Sequence, residues 1–338
     1  MKAQLTLLTG IKTTGIPHLG NLAGAIRPAI EASRDPAIRC YYFLADYHAL
    51  INTWDPAALA RSTLDIAAAW LACGLDPERV IFYRQSDIPE IFELTWMLSC
   101  LSAKGLMNRA HAYKAAVAEN EAAGLTDDPD RGITLGLYDY PVLMAADILM
   151  FRATHVPVGR DQLQHLEMTR DIAARFNHHF GERLILPEAL VREEAGVIAG
   201  LDGRKMSKSY GNVIPLFGTR EELRKLIFRI KTDSTPPEAP KDTEGSTLFD
   251  LYRAFANRAE TAALAVDYAR GIGWGEVKER LFEYLDALLA EPRTHYAELI
   301  ANPQVIEQAL RAGAAKARAE AAPYLGELRA AVGLRPLA

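Results

Sequence analysis

The stretch Leu5–Asn21, LTLLTGIKTTGIPHLGN, runs from an apolar strand pattern into a glycine-containing loop and then into a helix start. Backbone amides and the positive end of a helix dipole hold nucleotide phosphate in that order of elements. Lys12, Thr13 and Thr14 add one cation and two hydroxyls to the loop, a set that suits an anionic ligand. In PHLGN, Gly20 permits close approach to the helix start, His18 can donate to a phosphate oxygen, and Asn21 suits a ribose or phosphate contact. On spacing alone, a structural or solvated role for His18 stays open.

A second segment, GLDGRKMSKSYGNVIPLF at residues 200–217, sets Lys205, Met206, Ser207, Lys208 and Ser209 between Gly203 and Gly211. A chance match to five fixed residues is expected on the order of once in ten thousand chains of this length, so KMSKS is the more specific signal. Nucleotidyl and phosphoryl transfers are accelerated by positioning and charge stabilisation, and two ammonium groups on a glycine-hinged loop supply both. Together the two segments read as halves of a split clamp for ATP phosphates.

The chain has 338 residues, 49% hydrophobic and 24% charged, which is enough to bury a sizeable core in roughly two domains. The N-terminal run MKAQLTLLTGIKTT alternates apolar residues with threonine and lacks a cleavage-site pattern, so it reads as a first strand and not a signal peptide. No apolar stretch approaches the roughly 20 residues needed to span a bilayer, which predicts no membrane insertion and a cytoplasmic protein. Cys40, Cys73 and Cys100 are too widely spaced for a CxxC pair or a disulfide framework, which disfavours structural zinc and iron–sulfur clusters. A net charge of -5 argues against indiscriminate polyanion binding, so a nucleic-acid partner has to be met by a local patch.

Leu5–Thr9, Cys40–Ala45 and Val80–Tyr83 read as strands separated by helical patterns, the rhythm of a parallel α/β sheet. Pro56–Leu71 is a predicted helix with Asp55 as N-cap and Gly74 as its stop. Residues 90–113 are mostly helical in pattern, and EAAGLTDDPDRG at 121–132 is a polar, turn-rich excursion expected to be exposed and mobile. DYPVLMAADILMF predicts an apolar helix capped by Asp139 with Pro141 in its first turn. A strand at HVPV, a helix opened by Asp161 and a last strand at 196–201 follow. Beyond Gly218 the strand signals fade into TREELRKLIFRI, the connector PPEAP and alanine-rich amphipathic helices. The expected domains are residues 1–218, a Rossmann-like α/β unit with a helical insertion at about 90–178, and residues 219–338, all helical.

With PHLGN and KMSKS in order, the chain resembles a class I aminoacyl-tRNA synthetase. YPVLMAADIL, VPVGRDQLQHLEMTRDIAARFN and GRKMSKS are similar to the tryptophanyl subgroup over nearly the whole chain. That resemblance implies ATP and tryptophan as substrates, magnesium with the ATP, tRNA as acceptor and a homodimer. It implies phosphate contacts from His18, Lys205 and Lys208 as the catalytic groups. ATP contacts extend to Lys12, Thr13, Thr14, Gly20, Asn21, Gly159, Arg160, Asp161, Met206, Ser207 and Ser209, with Val197 beside the adenine. Tryptophan contacts are implied for Leu8, Tyr140, Met144, Asp147, Val158 and Gln162.

The residues agree in part. Tyr140, Met144 and Asp147 fall at i, i+4 and i+7, on one helix face. A carboxylate among apolar neighbours needs a donor, and the indole N–H is one. Spacing alone favours an internal partner for Asp147, a helix N-cap for Asp161 and a core position for Val197. Three features depart from the subgroup: Lys12, Thr13 and Thr14 in the first loop, Leu8 in place of an aromatic residue, and the acidic excursion. Lys12 is thereby put within reach of an α-phosphate. Lys114 is a further candidate for pyrophosphate. The resemblance implies that the helical region reads the anticodon; Arg311, Lys316 and Arg318 form a basic set there and Trp274 and Tyr324 are candidates for base stacking, with a solvated or packed role open for each and no individual contact assigned. A tyrosyl-tRNA synthetase, another nucleotidylyltransferase with an HxGH-like loop, and a non-catalytic paralogue that binds tRNA or nucleotide are the rival readings.

Overall fold

Near-continuous apolar runs such as Cys40–Ala45 bury both sides of a strand, which requires a sheet covered on two faces. The computed structural model describes residues 5–191 and 198–335, without the side chains of Asp161 and Ser209. Its five strands are β1 (Leu5–Lys12), β2 (Ile38–Ala45), β3 (Ile81–Arg84), β4 (His155–Val158) and β5 (Glu188–Val191), ordered β3-β2-β1-β4-β5. All pairings are parallel. Leu7, Ile11, Tyr42 and Phe82 belong to the core on one face, while Leu8, Tyr41, Phe43 and Tyr83 belong to the core on the other. Because β1 leads to β2 on one side and β4 lies on its other side, the order reverses at β1. Open α/β sheets bind ligands at the carboxyl ends of the strands at such a reversal.

Several sequence expectations hold and others shift. The helix Pro56–Ala72 is capped by Asp55, whose Oδ1 accepts from the Ala57 and Ala58 amides at 2.9 and 3.1 Å. The apolar helix starts earlier than Asp139: it spans Leu135–Met150, is capped by Thr134, and carries Pro141 in its interior. The Asp139 carboxylate instead accepts from Ser99 Oγ at 2.9 Å. Of the strand expected at 196–201, the described part makes a single antiparallel bridge, Ala199 to Lys205, because the Leu201 amide is taken by the Asn212 carbonyl and that of Gly200 by Arg204. β5 lies earlier in the chain, at the sheet edge. The excursion at 121–132 is largely exposed yet anchored: Asn120 Nδ2 donates to the Pro129 and Arg131 carbonyls, and Tyr113 Oη donates to Asp130 at 2.6 Å.

The chain after Gly218 is helical, ending in Trp274–Ala301 and Pro303–Ala331. The last helix lies along β3, the other edge strand, and so shields its unpaired side. Contact is close enough that a Cβ on Gly313 would stand 1.7 Å from the Phe82 carbonyl oxygen. Ala317, Ala321, Tyr324 and Leu328 of this helix are buried in the same core as Tyr41 and Tyr83.

Candidate active site

At the carboxyl ends of β1 and β4, where the strand order reverses, lies a cavity of about 490 Å³. Leu8 and Lys12 from β1, Val158 and Gly159 from the end of β4, and Gln162 beyond it line one part. Tyr140, Met144 and Asp147 line another from a single face of the helix Leu135–Met150. Asp147 is fully buried. Its Oδ2 is 2.9 Å from His48 Nε2, and Gln85 Nε2 donates to both oxygens at 2.8 and 3.0 Å. Burial pushes its pKa above the ordinary carboxylate value while the His48 and Gln85 contacts oppose that rise. A carboxylate offers about four acceptor positions, so these bonds leave room for one more donor.

Tyr140 Oη lies 2.6 Å from His165 Nε2, and His165 Nδ1 lies 2.9 Å from Gln162 Oε1. One tautomer satisfies both contacts: the phenol donates to Nε2 and Nδ1–H donates to the amide oxygen. His48, Gln85 and His165 were missed from sequence. Gln85 in YRQS directly follows the end of β3 and His48 in ADYHAL lies three residues past the end of β2, and that position is the signal that could have found them.

Beside the cavity, backbone bonds stitch the two signature segments together. The Leu19 amide donates to Ile214 and the Leu216 amide to Pro17, each at 3.0 Å. Thr13, His18 and Met206 are buried there. Thr13 Oγ1 and His18 Nδ1 find no hydrogen-bond partner among the described residues. A Cβ on Gly20 would stand 2.9 Å from the imidazole, so the glycine makes space for His18. Asn21 Oδ1 accepts from the His18 amide at 3.0 Å and so fixes the histidine's backbone.

Burial, aided by the nearby Lys208 charge, depresses the His18 pKa to about 4, so at neutral pH it is an uncharged donor. Burial also lowers Lys12, and brings Lys208 down to about 8. Lys208 Nζ donates to the Thr14 carbonyl, while Lys205 is exposed.

Asn212, also missed from sequence, organises the lysine loop. Its Oδ1 accepts from the Ser207 amide at 2.8 Å, and its Nδ2 donates to Asp202 at 2.7 Å and the Lys205 carbonyl at 3.1 Å. Gly203 and Gly211 have φ of +83° and +60°, conformations that favour glycine at the bends of this loop. Arg160 is exposed in the short 3₁₀ turn after β4. Val197 lies outside the described residues, as do the side chains of Asp161 and Ser209.

The residues singled out for an anticodon region are mostly engaged within the protein. Arg318 pairs with buried Glu90 at 2.9 Å and Lys316 with Glu78 at 3.3 Å. Trp274 Nε1 donates to Asp233 at 3.0 Å. Tyr324 is buried, donates to the Arg183 carbonyl at 2.7 Å, and carries the Arg152 guanidinium 3.7 Å from its ring centre. Arg311 and Lys114 are exposed.

Residues 1–290 match the family model described as tRNA synthetases class I (W and Y). The chain belongs to this family of class I aminoacyl-tRNA synthetases. Its relatives narrow the family to one branch. The chain is 61% identical over 333 residues to the tryptophan–tRNA ligase of Xanthomonas axonopodis pv. citri, covering 98% of this chain and 77% of the relative. The tryptophan–tRNA ligase of Pseudomonas aeruginosa is 61% identical over 334 residues, covering 98% and 74%. The tryptophanyl-tRNA synthetase of Campylobacter jejuni, solved with ADP and tryptophan, superposes with a TM-score of 0.87 at 40% identity, covering 98% of this chain and all of that one. A tyrosyl-tRNA synthetase from Archaeoglobus fulgidus, with a TM-score of 0.66 at 20% identity, shares the fold.

Proposed function

We propose that this chain activates L-tryptophan with ATP, forming tryptophanyl-adenylate and pyrophosphate, and then transfers the tryptophanyl group to tRNA(Trp). The observation that carries this reading is the position of Lys12. It lines the cavity that holds Asp147, and two residues further on the Thr14 carbonyl holds Lys208. Cavity and clamp therefore meet at one strand end, where a bound carboxylate and an α-phosphate would come together.

Asp147 accepts the indole N–H, Met144 packs on the ring, and Gln162 receives the α-amino group. The substrate carboxylate is itself the nucleophile, so alignment and charge replace a protein nucleophile. Lys12 faces the α-phosphate, neutral His18 donates to a phosphate oxygen, and Lys205 with Lys208 neutralises the departing pyrophosphate. Gly159, Arg160 and Asp161 take the ribose side. Among the described residues, no group of three or more His, Cys, Asp or Glu side chains converges. Magnesium enters with ATP, held by its phosphates and water.

Residues 219–338 form the tRNA anticodon-binding part in this reading, and the enzyme works as a cytoplasmic homodimer. Among the described residues no helix is long and apolar enough to cross a membrane. Trp54, 77% exposed, lines an apolar groove with Leu50, Phe92 and Leu143, which supplies surface for a second copy. ATP–pyrophosphate exchange with tryptophan and tyrosine side by side tests the reaction. Exchange with tryptophan alone is expected, and exchange with tyrosine alone would overturn the assignment.

A further inference from the structure

Gly10 and Phe43 are direct partners in the register of β1 and β2. Their Cβ positions point to the same face of the sheet, the face shared by Leu8, Tyr41 and Tyr83. Gly10 has no side chain, and the Phe43 ring leans across into that space. A Cβ built on Gly10 would stand 2.4 Å from Phe43 Cζ and 2.7 Å from Cε1. On its other side Phe43 stacks on Tyr83, its partner on β3, with ring centres 5.7 Å apart and planes 17° from parallel. The ring is thus fixed by a gap on one side and a stack on the other. It is 5% exposed and lines the cavity.

Leu8, Thr9 and Gly10 offer the cavity no aromatic surface from β1. On the helix side stand Met144 and the carboxylate of Asp147. We propose that Phe43 is the aromatic wall against which the substrate's indole lies, and that the missing side chain of Gly10 sets the position of that wall. This rests on the tryptophan reading above and adds to it a residue that decides the width of the ring site. An indole between the Phe43 ring and the Met144 thioether gains an aromatic contact on one face and a sulfur contact on the other.

The test measures L-tryptophan binding to the purified full chain by titration calorimetry without ATP, with KM for tryptophan and for ATP measured separately in pyrophosphate exchange. Phe43→Leu is expected to weaken tryptophan binding and raise its KM by about tenfold, leaving the ATP KM within about twofold. Gly10→Ala forces the ring toward the cavity, because Tyr83 blocks the other direction, and should weaken tryptophan binding at least as much. The double variant Gly10→Ala/Phe43→Leu removes the clash and should bind tryptophan better than Gly10→Ala alone. A general loss of structure cannot produce that rescue. Should Phe43→Leu not fold, Phe43→Met, closer in volume, carries the same expectation.

The inference is overturned by unchanged tryptophan affinity in the Phe43 variant that folds, by parallel changes in both substrates' KM, or by a double variant no better than Gly10→Ala. Tryptophan binding by the wild-type chain without exchange would sink the proposed reaction and leave the Phe43 contact to be judged on affinity alone. Absence of tryptophan binding would sink both.

Discussion

The cavity and the clamp lie side by side, yet their titratable groups are held differently. In the cavity Asp147 is held by His48 and Gln85, and Tyr140, His165 and Gln162 form a chain, while Thr9 Oγ1 and Gln85 Oε1 have no partner among the described residues. In the clamp, buried Thr13 Oγ1 and His18 Nδ1 have no partner among the described residues, and the partner of Lys208 is a neutral carbonyl. A connected network gives a ring site that is shaped before the ligand arrives. An unsatisfied one keeps donors and positive charge oriented toward an anion, and such groups interact most strongly when negative charge grows at the leaving pyrophosphate. In the proposed reaction selection thus belongs to the first region and rate to the second.

Removing a charge from the clamp should give the largest effect. Lys208→Ala is expected to lower kcat/KM for ATP in pyrophosphate exchange on the order of 10²- to 10³-fold, while calorimetric tryptophan affinity stays unchanged. Equal losses in both would break the division between the regions. Asp147→Asn should do the reverse at smaller scale. Losing a hydrogen bond to a charged acceptor costs about 1.5–3 kcal/mol, or roughly tenfold to a hundredfold in tryptophan KM. The ATP KM should not move, and a matching rise in it would place Asp147 outside the ring site.

The clamp was far easier to read from sequence than the cavity, for a physical reason. PHLGN and KMSKS are contiguous because a phosphate-binding loop is built from neighbouring backbone and side-chain groups. The network around Asp147 draws its partners from 99 and 62 residues away, so no local pattern announces His48 or Gln85. Strands β1 to β4 were visible as β-branched and apolar runs. β5, with its mostly exposed EALV, was not, because it lacks the buried apolar run that marks the others. Pro141 misled in the other direction. A proline read as a first-turn residue sits inside a helix because Thr134 caps the chain upstream and the following turns are buried.

The pH dependence separates the two regions without changing both chemically. Burial holds Lys208 near 8, so its ammonium is lost as the pH rises through that value. Because kcat/KM reports the free enzyme, the value for ATP should fall on the alkaline side, by about tenfold per pH unit above 8. His18, depressed to about 4, is neutral throughout the range above 5 and should contribute no acidic limb there. Lys208→Arg, which keeps its charge, should remove the alkaline fall even if its plateau is lower. Tryptophan affinity over pH 7–9 serves as the reference that should not follow the curve.

Asn212→Ala should have the smallest effect and tests whether the clamp owes its geometry to a single buried amide. The side chain ties Ser207, Lys205 and Asp202 together, and Gly200 leaves the space for it: a Cβ there would stand 2.4 Å from Asn212 Cγ. Truncation leaves the Ser207 amide without that acceptor, a cost of about 1–3 kcal/mol, which in a chain of this size lowers Tm by a few degrees. The lysine loop then samples more conformations, so exchange kcat should fall several-fold while tryptophan KM holds. Gly200→Ala, which displaces the same amide without removing it, should reproduce both changes. A fall in Tm with kcat intact would mean that Asn212 supports the fold and that the lysines find the phosphates without its help. The cavity would then be the one region whose geometry is set in advance.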